Sequence, residues 1–309
     1  MKSVKIREIR VFIKNKSVIV IASPTAVGKT GIAIQLAKFL STEIISADSR
    51  QCYKEMKIGV ARPAEAELKK VKHYFIASHS IQDAMNAATF EKYALAITKQ
   101  HFEKYDVLIM AGGTGLYIKA FCEGMDEIPN VPPEIRRQII LKYEQEGLPW
   151  LQKEIQVKDP EFFAAGEIKN PQRLLRALEV SEATGQSILA FRKGEKIHRG
   201  FNIIKIGLEL PKAELDRNID SRVDTMIFNG LVSEVKTLLP YKHLSALQTP
   251  GYKEIIDHLE GKILLPDAID LIKKNTRQFA KRQQTWFRKD KEITWFSPKD
   301  IDAIKNFLK

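Results

Sequence analysis

Residues 23–30, Ser23-Pro24-Thr25-Ala26-Val27-Gly28-Lys29-Thr30, decide how this chain is read. They follow a short continuous apolar run, residues 17–22, and precede a segment, residues 31–40, with the apolar spacing of a helix. A buried strand, a tight loop and a helix that opens on Gly-Lys-Thr make the phosphate-loop arrangement. Backbone N–H groups of such a loop and of the helix N-terminus converge on one spot and hold a di- or triphosphate. Lys29 adds a positive charge, and Thr30 supplies a hydroxyl for a metal ion. The full pattern has glycine where this chain has Ser23, a position serine can occupy if its backbone angles stay ordinary.

Working outward, residues 43–47 form a second apolar run with Asp48 at its carboxyl end. Residues 107–111 form a third, leading into Gly112-Gly113-Thr114. Apolar runs alternating with helical or loop segments predict a parallel α/β sheet. Ligands bind at the carboxyl ends of the strands in such sheets, so the phosphate loop, Asp48 and the glycine turn should share one edge. In ordinary NTPases a strand near here ends in an aspartate that helps to hold the metal. The third run has Asp106 at its beginning and no acid at its end, which argues against a standard ATPase or GTPase. Asp48 suits a general base or a water-mediated metal contact, and equally an ordinary helix cap.

The pattern changes after Cys122. Pro129, Pro132 and Pro133 mark a connector, and residues 134–146 predict a helix stopped by Gly147. Asn170 is a good N-cap for a helix over 171–184, which Gly185 ends. Strand character returns at residues 202–209, and the tail is helical up to a short apolar stretch, residues 293–296. The expected architecture is a discontinuous P-loop NTPase-like α/β core, residues 1–123 and 200–309, with a parallel sheet flanked by helices. A mainly helical insertion domain, residues 124–199, interrupts it.

The net charge of the 309-residue chain is +12. Nineteen basic against eleven acidic side chains lie in residues 1–123, twelve of each in 124–199, and nineteen against fifteen in 200–309. The excess therefore sits on the flanks. It suits a polyanionic partner such as RNA or DNA, and equally a plain basic enzyme. Two distant cysteines exclude a disulfide framework or a cysteine-rich zinc module, and the six histidines lack metal-ligand spacing. No run reaches the roughly 20 apolar residues of a membrane span. Residues 1–16 are basic without the apolar stretch of a secretory leader, so a cytoplasmic location and no membrane partner are expected.

Near the end, residues 273–291 carry eight basic side chains and one acidic. Arg277, Lys281, Gln284 and Arg288 share one helical face and favour anion contact, while Ile272, Phe279 and Trp286 lie nearly opposite and should pack on the core. Arg217 and Arg222 fall on another predicted helix, where either could clamp a diphosphate.

Together these motifs resemble the tRNA dimethylallyltransferases, also called tRNA isopentenyltransferases. The resemblance rests on residues 24–30, on Asp48-Ser49-Arg50-Gln51 with Tyr53, and on Ile58-Gly59-Val60-Ala61-Arg62-Pro63. It continues through Gly112-Gly113-Thr114-Gly115-Leu116-Tyr117, Pro171-Gln172-Arg173-Leu174 with Arg176-Ala177-Leu178-Glu179, and Gly251-Tyr252. Thr276-Arg277-Gln278 and Ala280-Lys281-Arg282-Gln283 with Thr285-Trp286 complete it, in the family's order across nearly the whole chain. The zinc-finger extension of eukaryotic relatives is absent, so the bacterial type is implied.

The resemblance implies transfer of a dimethylallyl group from dimethylallyl diphosphate to N6 of the adenosine just 3′ of the anticodon, with Mg2+ and without nucleotide hydrolysis. It implies that the loop, Ser23 and Pro24 through Thr25, Ala26, Val27, Gly28, Lys29 and Thr30, holds the donor diphosphate, with Thr30 toward the metal. Asp48 becomes the base for the adenine amino group, and Arg217 or Arg222 assists the leaving diphosphate. Contacts to the tRNA anticodon stem-loop are implied for Asp48, Ser49, Arg50 and Gln51, for Thr114 and Arg136, and for Gln172, Arg173, Leu174, Leu175 and Arg176. The stretch Gln248, Thr249, Pro250, Gly251 and Tyr252 is assigned to tRNA as well, and a monomer is expected. Read from the residues alone, the loop and α/β core also suit a kinase that uses ATP, and Ser23 with the positive charge suits a non-catalytic RNA-binding protein.

Overall fold

The structure, a computed structural model, describes residues 16–309 except Glu167. The basic stretch read above for a leader lies, apart from Lys16, outside the described residues. In chain order the elements are β1 (Ser17–Ala22), α1 (Lys29–Phe39), β2 (Ile44–Ala47), α2 (Glu65–Leu68), β3 (His73–Tyr74), α3 (Ala87–His101), β4 (Val107–Gly112) and α4 (Gly115–Glu123). Then follow α5 (Pro133–Lys158), α6 (Pro160–Ala165) and α7 (Pro171–Thr184). After them come β5 (Asn202–Leu208), α8 (Lys212–Phe228), α9 (Leu231–Leu238), α10 (Tyr252–Leu259), α11 (Leu265–Phe287), β6 (Thr294–Phe296) and α12 (Ile301–Leu308).

The chain divides into two compact units. One contains the described residues up to Cys122 together with His198–Lys309; the other is Glu123–Ile197. In the first, six strands form one sheet in the order β3-β2-β4-β1-β5-β6, with every pairing parallel. β1 lies between β4 and β5 and is buried along its whole length, which is why it reads as an unbroken apolar run. From β1 the chain passes over β4 to reach β2, whereas from β4 it passes to the far side of β1 to reach β5. The loops after β1 and β4 therefore diverge and open a crevice at the carboxyl edge, the general ligand position in open parallel sheets. Ile19, Ile21, Ile109 and Ile206 from the strands pack with Ile32, Leu36, Ile219 and Ile304 from the helices.

The second unit has its own core, in which Ile139, Leu151 and Ile155 of α5 meet Phe162 of α6 and Leu174, Leu178 and Val180 of α7. Gly147 has φ 75° and ψ −167° and ends the helix begun at Pro133, as expected; a second helix follows at once within α5 and runs on to Lys158. Apolar side chains such as Leu151 and Ile155 hold the resumed turns against the core. Asn170 caps α7 by accepting from the Arg173 N–H, and Gly185 closes it at φ 70°. Among the described residues no helix is long and apolar enough to cross a membrane.

Candidate active site

The loop of residues 23–28 leaves the end of β1 in a tight curl. Ala26 has φ 64° and Gly28 φ 96°, whereas Ser23 is not among the residues with positive φ. Its backbone does not require glycine, so serine fits. Its hydroxyl is fully buried and has no hydrogen-bond partner among the described residues. Lys29, the first residue of α1, turns back and donates from Nζ to the carbonyls of Ser23 (3.1 Å) and Pro24 (2.6 Å). Burial pushes its pKa down to about 7, with repulsion from Arg222 adding to the shift and attraction to Asp48 opposing it.

Asp48 follows β2, and its Oδ1 accepts from the N–H groups of Arg50 (2.9 Å) and Gln51 (3.2 Å). Asp48 thus closes a turn and not the helix cap weighed from sequence, since no helix begins there, and both of these bonds fall on one of its two oxygens. Across the crevice the Thr114 hydroxyl accepts from the Ser49 N–H at 3.0 Å, which fixes the turn after β4 to the turn after β2. Gly112 lies so close to the Ala47 carbonyl that no side chain would fit. Of the two arginines on α8, Arg222 reaches the loop and donates from Nη1 to Thr25 Oγ1 at 3.0 Å. Burial lowers its pKa, and Asp48 opposes that shift. Arg217 is exposed and lines neither of the cavities described next.

Several of these residues share one cavity of about 300 Å³, whereas Lys29 and Gly112 line the second one described below. Thr25, Asp48, Ser49, Arg50, Thr114 and Arg222 supply the larger cavity's polar wall. Val60, Val223, Met226, Ile272 and Phe279 supply an apolar wall, and Gln248, Thr249, Pro250 and Gly251 close one side. A second, narrow cavity of about 40 Å³ lies beside it, where Thr30 faces Ser46, Asp48 and Gln51. Glu234 holds the Val60 loop from outside, accepting from the N–H groups of Lys57 (3.1 Å), Ile58 (2.7 Å) and Gly59 (3.1 Å). Gln51 holds it from inside, donating to the carbonyls of Val60 and Ala61.

Some sequence expectations need correction. Tyr252, assigned to tRNA, is fully buried and donates to Glu234 Oε1 at 2.5 Å, so it supports the cavity from behind. Leu174 and Leu175 are buried in the core of the second unit, because they fall on the inner face of α7. Gln172 and Arg173 are exposed on the same helix. Arg136 and Arg176 converge on one buried carboxylate, Glu179, at 3.6 and 3.3 Å. On α11, Ile272 packs inside as expected, but Phe279 and Trp286 are each 38% exposed, and Phe279 lines the cavity. The basic run is also less free than its sequence suggests. Lys273 pairs with Asp224, Arg277 with Asp220 and Arg288 with Glu209, acids that the sequence places far away.

Gln283 was quoted among the α11 motifs without a role. It is 8% exposed and joins the phosphate loop to the glycine turn, accepting from the Thr25 N–H at 2.9 Å and donating to the Gly113 carbonyl at 2.8 Å. Its sequence signal was a polar residue set four after Phe279 and three before Trp286, on the face expected to pack inward.

A phosphate loop that shares a cavity with a carboxylate, an arginine and an apolar wall defines a P-loop protein for an anionic donor with an apolar part. A family model described as IPP transferase matches residues 51–290. The chain is 50% identical over 276 residues to the tRNA dimethylallyltransferase of Christiangramia forsetii, covering 89% of this chain and 91% of that protein. It is 46% identical over 290 residues to tRNA dimethylallyltransferase 2 of Azobacteroides pseudotrichonymphae, covering 94% of each. Among solved structures, the full-length tRNA isopentenylpyrophosphate transferase of Bacillus halodurans superposes with a TM-score of 0.70 at 33% identity, covering 95% of this chain and 96% of that one. A eukaryotic dimethylallyltransferase acting on tRNA gives 0.78 at 25% identity, covering 94% and 77%. The chain belongs to the tRNA dimethylallyltransferase (IPP transferase) family, bacterial type, and is an enzyme of the prenyltransferase class.

Proposed function

We propose that this enzyme transfers a dimethylallyl group from dimethylallyl diphosphate to N6 of the adenosine immediately 3′ of a tRNA anticodon. One observation carries most weight: Thr25 of the phosphate loop, Asp48, Arg222 and an apolar wall meet in a single cavity. A diphosphate has its cradle there, a short branched isoprenoid has its wall, and an amine has its base.

The reaction joins the donor's C1 to adenine N6. As that bond forms, the C1–O bond breaks, its electron pair leaves on the diphosphate, and N6 releases a proton. An allylic cation is delocalised, so the larger task is to stabilise negative charge on the departing diphosphate. Loop N–H groups, Lys29 and Arg222 take on that task in this reading, supported by Lys29 and Arg222 both reaching the loop. Binding of the anion gives the Lys29 ammonium a better partner than the two carbonyls it now holds. Adenine N6 is a poor nucleophile, and the Asp48 oxygen not used in closing the turn is the acceptor for its proton. A positioned base of this kind contributes roughly 10²–10⁴-fold. The target base leaves its stack to enter, as base-modifying enzymes generally require.

The residues fit Mg2+. Thr30, Ser46, Asp48 and Gln51 bring oxygen and amide groups to the narrow cavity, which Lys29 and His73 also line, and Mg2+ keeps most of its waters while taking one or two protein oxygens with substrate phosphates. Thr30 would hold it, and bound there it supplies further charge neutralisation for the diphosphate. Arg136, Gln172, Arg173 and Arg176 on the helical unit, and Ser49, Arg50 and Gln248–Gly251 on the core, are assigned to the RNA.

Protein incubated with labelled dimethylallyl diphosphate and unmodified tRNA should place the label on adenosine. Absence of label at any Mg2+ concentration, or phosphate transfer from ATP indifferent to tRNA, would contradict the proposal.

A further inference from the structure

The α11 helix enters the site at two points where glycines make room for it. A side chain at Gly113 would collide with the Gln283 amide, and one at Gly115 with the Trp286 ring. These two residues are three apart on α11, on adjoining turns of one face. The glycine turn is therefore shaped to receive that helix. Gln283 then uses both ends of its carboxamide. Its Oε1 takes the Thr25 N–H of the phosphate loop, and its Nε2 gives to the Gly113 carbonyl. Thr114, the next residue, holds the Ser49 N–H beside Asp48. A continuous line of hydrogen bonds thus runs from the donor loop, through one buried side chain, to the turn that carries the base.

We infer that Gln283 is a positioning residue that sets the distance between the diphosphate loop and the Asp48 turn. It touches neither reacting atom in this role. It acts by fixing Thr25, whose hydroxyl also receives Arg222, so the loop and its arginine are held in one arrangement before the donor arrives. Reaction between two bound partners is sensitive to small displacements, which makes such a link matter for turnover as well as for donor affinity. The inference rests on the proposed function of the site.

Two variants separate its parts. Gln283→Met keeps length and burial and loses both hydrogen bonds. Gln283→Glu keeps an acceptor for the Thr25 N–H and loses the donor to Gly113. Affinity for inorganic pyrophosphate with Mg2+, measured by calorimetry, needs no turnover. For Gln283→Met we expect affinity about ten-fold weaker and turnover at saturating substrates about ten-fold lower, with tRNA affinity within two-fold. Gln283→Glu should recover most of the pyrophosphate affinity. Pyrophosphate affinity and turnover both within two-fold of the parent in Gln283→Met, or a melting-temperature loss with unchanged constants per folded enzyme, would overturn the inference. If the parent itself bound no pyrophosphate, the reading of the cavity would fail, and the inference with it.

Discussion

The carboxyl edge of the sheet and the arginine-bearing face of the helical unit solve different problems. At the sheet edge, Lys29 and Asp48 are fixed by short hydrogen bonds to backbone, Lys29 to two loop carbonyls and Asp48 to two N–H groups. On the helical unit, Arg136 and Arg176 project from different helices and share only the buried Glu179. The first arrangement defines positions to fractions of an ångström, which bond-making needs. The second holds positive charge at the surface while leaving its reach adjustable, which suits a polyphosphate backbone. Chemistry and recognition should therefore fail separately when each region is damaged.

The largest break in that comparison is expected at Asp48. Asp48→Asn keeps an oxygen to accept from the Arg50 and Gln51 N–H groups and removes the base, so kcat should fall by about 10²–10⁴ with tRNA affinity nearly unchanged in a filter-binding assay. Next comes Arg222→Met, which deletes a charged donor to Thr25. Its KM for the donor should rise by roughly 10–100-fold, while Arg217→Met, on the exposed side of the same helix, should stay within two-fold. Steady-state kinetics with varied donor separates the two.

Glu179→Gln sharpens the other half. Removing the carboxylate that gathers Arg136 and Arg176 should weaken tRNA binding by about five-fold and leave donor KM unchanged. An equal effect on both constants would erase the distinction between the regions. The smallest effect is expected from Ser23→Ala. Deleting a buried hydroxyl that has no partner among the described residues should leave the free protein as stable or more stable by about 1 kcal/mol, read from urea unfolding.

The sheet-edge region was the more legible of the two in the sequence. Continuous apolar runs ending in Ser23, Asp48 and Gly112 announced both the strands and the edge at which their loops gather. Local signals also placed α7, through Asn170, Pro171 and Gly185. Long-range pairing was out of reach. Nothing near Arg277 or Arg288 shows that Asp220 and Glu209 will neutralise them. The motif stretch 172–176 mixes exposed and buried positions because a helix turns its leucines inward. Helical spacing placed Phe279 and Trp286 opposite the basic face, yet that side of α11 borders a cavity and a glycine turn instead of a closed core. Tyr252 belongs to the same class, since its burial depends on Gly59 and Glu234, distant in the chain.

A crystal structure with a non-hydrolysable dimethylallyl diphosphate analogue and an unmodified anticodon stem-loop tests the central claim most directly. The account predicts the diphosphate on residues 25–30 beside Arg222, and the extruded adenine with N6 within about 3.2 Å of the Asp48 carboxylate. A diphosphate bound elsewhere, or an adenine still stacked in the anticodon loop with N6 out of reach of Asp48, would contradict it.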